Sequence, residues 1–144
     1  MSLLKKIITP PHGALDIKLE NNVIKRGEAL KGTLFFSAME NFRSDMIRCD
    51  IECIELFNHM QINESTPQMI TDTRVVYSTT QQLQGQTSYT KGQKISLPFE
   101  VQIPENSFPS MSSDAVNDIW SIKGVVVVPR RPDITTTVHF QVLS

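Results

Sequence analysis

Residues 94–109 read KISLPFEVQIPENSFP, and this stretch decides the fold. Ile95, Leu97, Phe99, Val101 and Ile103 alternate without a break with Lys94, Ser96, Pro98, Glu100 and Gln102. A period of two makes a strand with one buried face and one wet face. Pro98 has no N–H to give to a ladder and lies on the wet face, which predicts an edge strand or a bulge. Pro104 and Pro109 close the run.

The same alternation recurs on both sides. Leu15, Ile17 and Leu19 alternate with Asp16, Lys18 and Glu20. Asn21-Asn22 and Lys25–Glu28 read as turns, with Gly27 free to take positive φ. Leu30, Leu34 and Phe36 share a face around Gly32, and a glycine inside a strand predicts a bulge or a close backbone approach. Glu105–Asp118 is long and rich in Ser and Pro, which predicts a crossing between sheets. Trp120, Ile122, Gly124, Val126 and Val128 form one face of a strand, with Trp120 in the core. Ile134, Thr136, Val138, Phe140 and Val142 form the last strand. Pro129 and Pro132 pre-set the bend between these two, so they pair as antiparallel neighbours.

Four segments speak less clearly. Ile47, Cys49, Ile51 and Cys53 alternate as in a strand, while Ile47, Ile51 and Ile54 also fit an amphipathic helix. The strand-rich surroundings favour a long strand over Met46–Phe57 but leave both readings open. Asn58–Pro67 is polar and reads as a loop. Met69–Thr79 reads as a strand with Thr73, Val75 and Tyr77 on one face and Arg74 and Val76 on the other. Thr79–Gly92 reads as an exposed hairpin or a mobile loop. About seven or eight strands at this spacing predict an all-β, two-sheet antiparallel sandwich of immunoglobulin type.

At 144 residues the chain reads as one domain, with residues 1–13 a short lead and 14–144 the sandwich. Leu3, Leu4, Ile7 and Ile8 have the spacing of one helical turn. Lys and Arg number 14 against 15 Asp and Glu, scattered along the chain. With no basic run to neutralise a phosphate backbone, nucleic acid is not an expected partner. Leu3-Leu4 precede Lys5-Lys6, the reverse of a secretory signal, and no apolar run nears the ~20 residues of a membrane span. Cys49 and Cys53 would lie about 13 Å apart along one strand, too far to bridge. Free thiols fit a reducing compartment, so the expected location is the cytoplasm.

His12, His59 and His139 have no metal-ligand spacing, and there is no G-x-S-x-G elbow, P-loop or dinucleotide fingerprint. The expectation is a protein without catalysis and without a cofactor. Candidate partner contacts are the basic pairs Lys5-Lys6 and Arg130-Arg131, since Arg suits bidentate capture of carboxylate or phosphate. Arg130 and Arg131 sit in a Pro-bounded turn. Unpaired sheet edges around Thr79–Gly92 are further candidates.

Three segments, in this order, resemble the amino-terminal half of the arrestin fold. Leu19–Gly32, LENNVIKRGEALKG, is similar to that family's strand, turn and Gly-Glu-x-x-Gly signature through Gly27, Glu28 and Gly32. Leu97–Pro109, LPFEVQIPENSFP, resembles its Pro-Phe, apolar, Pro, Ser-Phe stretch. Ile119–Pro129, IWSIKGVVVVP, resembles its aromatic-led strand and proline turn. The SLLKKI at Ser2–Ile7 is similar to the bacterial sporulation-control proteins, an arrestin-like group. The resemblance implies an adaptor or scaffold that binds a protein partner through loops or a sheet edge. Such families carry two sandwiches in tandem and this sequence shows one, so a homodimer in which a second copy supplies the other is a further expectation. The alternative is a carbohydrate-type ligand-binding sandwich, which would display exposed aromatics. Here Trp120, Tyr77 and Tyr89 are the only Trp and Tyr.

Overall fold

The computed structural model describes residues 9–113 and 115–144. The helical turn read at Leu3, Leu4, Ile7 and Ile8, and the candidate contacts Lys5 and Lys6, lie outside the described residues. In chain order the strands are β1 (Gly13–Leu19), β2 (Val23–Lys25), β3 (Ala29–Ala38), β4 (Phe42–Ser44), β5 (Met46–Asn63), β6 (Thr66–Gln84), β7 (Thr87–Tyr89), β8 (Lys94–Gln102), β9 (Met111–Ser112), β10 (Val116–Val127) and β11 (Ile134–Leu143). β2, β4, β7 and β9 hold only two or three residues each, so seven long strands carry the sandwich.

β8 takes the place its alternation predicts. It pairs with β3 alone, at the edge of a sheet ordered β1-β3-β8. Pro98, opposite Thr33, is exposed on the outer face. The facing sheet runs β2-β11-β10-β5-β6, with β9 paired to β10. β10 and β11 are antiparallel neighbours, with Trp120 opposite Phe140 and Val126 opposite Ile134. β2 departs from the all-antiparallel expectation, because it runs parallel to β11. The Ser- and Pro-rich connection does cross from one sheet to the other, and β9 forms within it.

The interior lies between the sheets. Leu30, Leu34 and Phe36 of β3 face Ile47, Cys49, Ile51 and Cys53 of β5 and Trp120, Ile122 and Val126 of β10. Burying each such side chain stabilises by about 1.5–3 kcal/mol. Trp120 is 1% exposed, and its indole N–H donates to the Phe108 carbonyl at 2.7 Å. That bond satisfies the one polar group the ring takes out of water. Gly32 makes the close approach expected of it, since a Cβ there would sit 2.6 Å from the Lys18 carbonyl oxygen. Gly27 takes positive φ, 86°. Phe36, Phe42 and Tyr89 pack ring on ring, and they fix the two-stranded β4-β7 sheet to the body.

Met46–Phe57 is strand, and it forms part of β5. Asn58–Pro67 is not the loop its polarity suggests. β5 runs through it to Asn63, and β6 returns from Thr66 in unbroken register to Thr73 opposite Leu56. Thr79–Gly92 divides into the end of β6, a short turn and β7.

Candidate functional site

β5 and β6 form one long hairpin whose root lies in the six-stranded sheet and whose far part carries mostly exposed residues. Its loop is only two residues, Glu64 and Ser65, at φ 51° and 69°. Positive φ at both central positions is type I′ geometry, whose twist matches that of paired strands. It is reached here without the usual Asn-Gly.

A bulge sets which residues face out. Cys53 pairs with Tyr77, but Ile54 pairs with Val75, leaving Val76 as the extra residue. Sequence alternation places Val75 and Tyr77 together, whereas the bulge turns them to opposite faces. Tyr77 faces inward against Trp120, ring centroids 5.5 Å apart, and Val75 faces out.

On the root side of the bulge the outer face is polar. Arg48 reaches Asp50 at 3.1 Å, and Thr80 donates to the same carboxylate at 2.9 Å. Beyond the bulge the outer face becomes apolar. Ile54 and Val75, then Leu56, then Met60 and Met69, then Ile62 and Pro67 succeed one another up the hairpin. Val75 is 57% exposed, Met60 60%, Met69 65% and Ile62 77%. Ile119 of β10, opposite Ile54, extends the row onto the sheet. Thr73, opposite Leu56, and the Asn58–Thr71 rung interrupt it, the rung tied by a hydrogen bond of 2.6 Å.

The opposite face of the finger carries charge. Arg74 donates to Glu55 at 2.6 Å, and its guanidinium lies 5.8 Å from the centre of the Phe57 ring. His59 and Asp72 are paired next to it. Asp118 stands opposite Glu55 in the ladder, is 4% exposed, and leaves Oδ1 without a partner. Burial pushes its carboxyl above the usual range, the neighbouring Glu55 charge adds to the rise, and Arg74 offsets part of it. Burial, then Asp118 and Glu55, push the Cys53 thiol up to about 12. Burial and Asp50 raise Cys49 to about 11. Both thiols are free, as their spacing on one strand requires, and neither is poised as a thiolate at neutral pH.

The two described basic candidates part company. Arg131 donates from Nη1 to Glu40 at 2.7 Å and from Nε to the Thr9 carbonyl at 3.0 Å. The other Glu40 oxygen accepts from the His12 backbone N–H at 2.9 Å. Arg131 therefore fastens the β10–β11 turn to the start of the described chain. Its hydrogen bond, then that of His12, holds the Glu40 carboxyl below its usual value. Arg130 is exposed, at φ 64°. Among the described residues no group of three or more His, Cys, Asp and Glu could hold a metal ion, and no helix is long and apolar enough to cross a membrane.

The apolar finger escaped sequence reasoning. Its signal was present, in Met60 and Ile62 alternating with His59 and Gln61, and in Met69 across the turn.

No family model matches the chain, and no curated protein matches it. Among solved structures it is similar to Spo0M, the sporulation control protein from Bacillus subtilis, with a TM-score of 0.69 at 14% identity. The match covers 92% of this chain and 49% of Spo0M, so the chain spans about half the length of that protein. The likeness is one of fold, and the chain is an arrestin-like β-sandwich.

Proposed function

We propose that this arrestin-like sandwich is a non-catalytic cytoplasmic adaptor that holds a protein partner against the outer face of the β5–β6 finger. One observation carries the reading: Val75, Met60, Met69 and Ile62 lie in a row, each more than half exposed, on a single face. Single exposed apolar residues are ordinary, but several gathered on one face of a finger mark an interaction surface. Methionine and isoleucine side chains on a two-stranded finger offer an adaptable apolar contact, and burying them against a partner removes them from water. The fold neighbour named as a sporulation control protein is consistent with a regulatory role. Two buried, unbridged cysteines support a reducing compartment.

The experiment is capture of partners from cell extract by the protein and by a Met60→Asp/Ile62→Asp double variant. The expected result is a defined set of captured proteins that the variant loses. An unchanged set, or turnover of a substrate in a broad hydrolase screen, contradicts the reading. The sugar-binding alternative requires an aromatic platform, and Trp120, Tyr89 and Tyr77 all turn toward the interior. A blue-shifted, quencher-resistant Trp120 emission that does not respond to oligosaccharides is expected.

A further inference from the structure

The free edge of β6 is a separate surface from the apolar face. β6 is 19 residues long and stands last in its sheet, paired with β5 alone. Natural edge strands are blunted by charge, proline or brevity. From Val75 to Thr90 this chain carries no charge and no proline. Over β6 itself the charged residues are Asp72 and Arg74, one of each sign, with Thr73 between them.

The ladder fixes which backbone groups point out. A two-residue I′ loop is closed by a hydrogen-bonded pair, here Asn63 and Thr66, and such pairs alternate with non-bonded ones along the hairpin. Ile70, Asp72 and Arg74 therefore bond to β5, while Met69, Thr71, Thr73 and Val75 turn their N–H and C=O groups to the open edge. Pro67 falls in the outward set, where its missing N–H costs the hairpin nothing.

We propose that β6 pairs with β6 of a second copy of this chain, antiparallel, about a two-fold axis at Thr73. Only that centre sets Asp72 of each copy opposite Arg74 of the other. Thr73 then exchanges both of its outward backbone bonds with its own counterpart, and Thr71 pairs with the second copy's Val75. A two-fold contact of one patch with itself is the commonest closed assembly. The two sheets become one continuous sheet, which takes the edge from Thr71 to Val75 out of solvent. The apolar face of each finger stays open, so this assembly is independent of the adaptor reading and its failure leaves that reading standing.

The test is sedimentation of the protein together with disulfide trapping. The parent is expected to be a dimer through the micromolar range. Thr73→Pro removes an outward N–H only, so it is expected to give a monomer with an unchanged circular dichroism spectrum. Under mild oxidation the Thr73→Cys protein is expected to cross-link to itself, because paired Cα atoms about 5.5 Å apart can bridge. The Thr71→Cys protein should not, since residue 71 meets residue 75. Cys49 and Cys53 are buried and give no background. A parent that is monomeric throughout that range, or equal cross-linking by both cysteine variants, overturns the proposal. If Thr73→Pro does not fold, the cysteine pair decides alone.

Discussion

Val75 and Tyr77 stand two residues apart on β6 and face opposite sides of the sheet, because Val76 between them bulges out of register with β5. Beyond this point the outer face of the hairpin exposes Val75, Met69, Met60 and Ile62, while on the root side Cys53 and Tyr77 turn into the core.

The two residues should therefore respond differently to truncation. Tyr77→Ala removes a ring packed on Trp120 and is expected to destabilise by about 2–3 kcal/mol, below the usual aromatic range because Tyr77 is only half-buried. Val75→Thr changes an exposed residue and is expected to stay within about 0.5 kcal/mol. Urea unfolding of both variants checks the assignment. Equal losses would mean that the two side chains share a face.

The hairpin turn offers a gain. Glu64 and Ser65 hold positive φ, a conformation that costs a residue with a Cβ about 1–3 kcal/mol. Replacing the pair by Asn-Gly relieves much of that strain and is expected to raise stability by about 1 kcal/mol. Thermal unfolding measures it, and no gain would mean that the turn is not type I′.

The raised carboxyl of Asp118 fixes the sign of a pH dependence expected in stability. In the unfolded chain an aspartate ionises near about 3.9, while in the fold Asp118 keeps its proton to higher pH. Between the two values the folded state binds more protons, so stability falls as pH rises through that window. Asp118→Asn removes the ionisation. The variant is expected to gain on the parent as pH is raised from about 4 to neutral, and to show no gain below about 4. Urea unfolding across that range tests it. A gain that grows toward acid would reverse the sign.

Glu40 behaves in the opposite sense. Its carboxyl is held below its usual value by Arg131, so its contribution is present above the unfolded value, near about 4.3, and is lost as pH falls through the depressed one. Arg131→Ala is expected to cost about 1 kcal/mol at neutral pH, since the pair is partly screened, and the cost should shrink in acid. A cost independent of pH would place the role of Arg131 in packing alone.

These contrasts show where the sequence is informative. β8 wets one face throughout, and β10 sets exposed Ile119 and Lys123 beside buried Trp120 and Ile122, so Leu97, Phe99, Trp120 and Ile122 announce their strands by alternation. Trp120 reads as core for the same reason. The finger has solvent on both sides, so Asn58–Thr66 has no inside to set against an outside, and its polar residues imitate a loop. Val76 is ordinary as a residue, and a bulge is defined by the partner strand rather than by its own side chain. Arg131 sits beside Arg130 like a free basic pair, yet its partner Glu40 comes from a distant part of the chain. Long-range pairings of that kind leave no local mark.

The finger itself is the claim on which the functional reading rests, and residue-resolved amide exchange along 58–75 tests it most directly. A hairpin ladder predicts slow exchange at Ile70, Asp72 and Arg74 at every protein concentration, with Thr71, Thr73 and Val75 faster in the monomer. Uniformly fast exchange across the segment would mean a loop in place of paired strands, and would contradict the account.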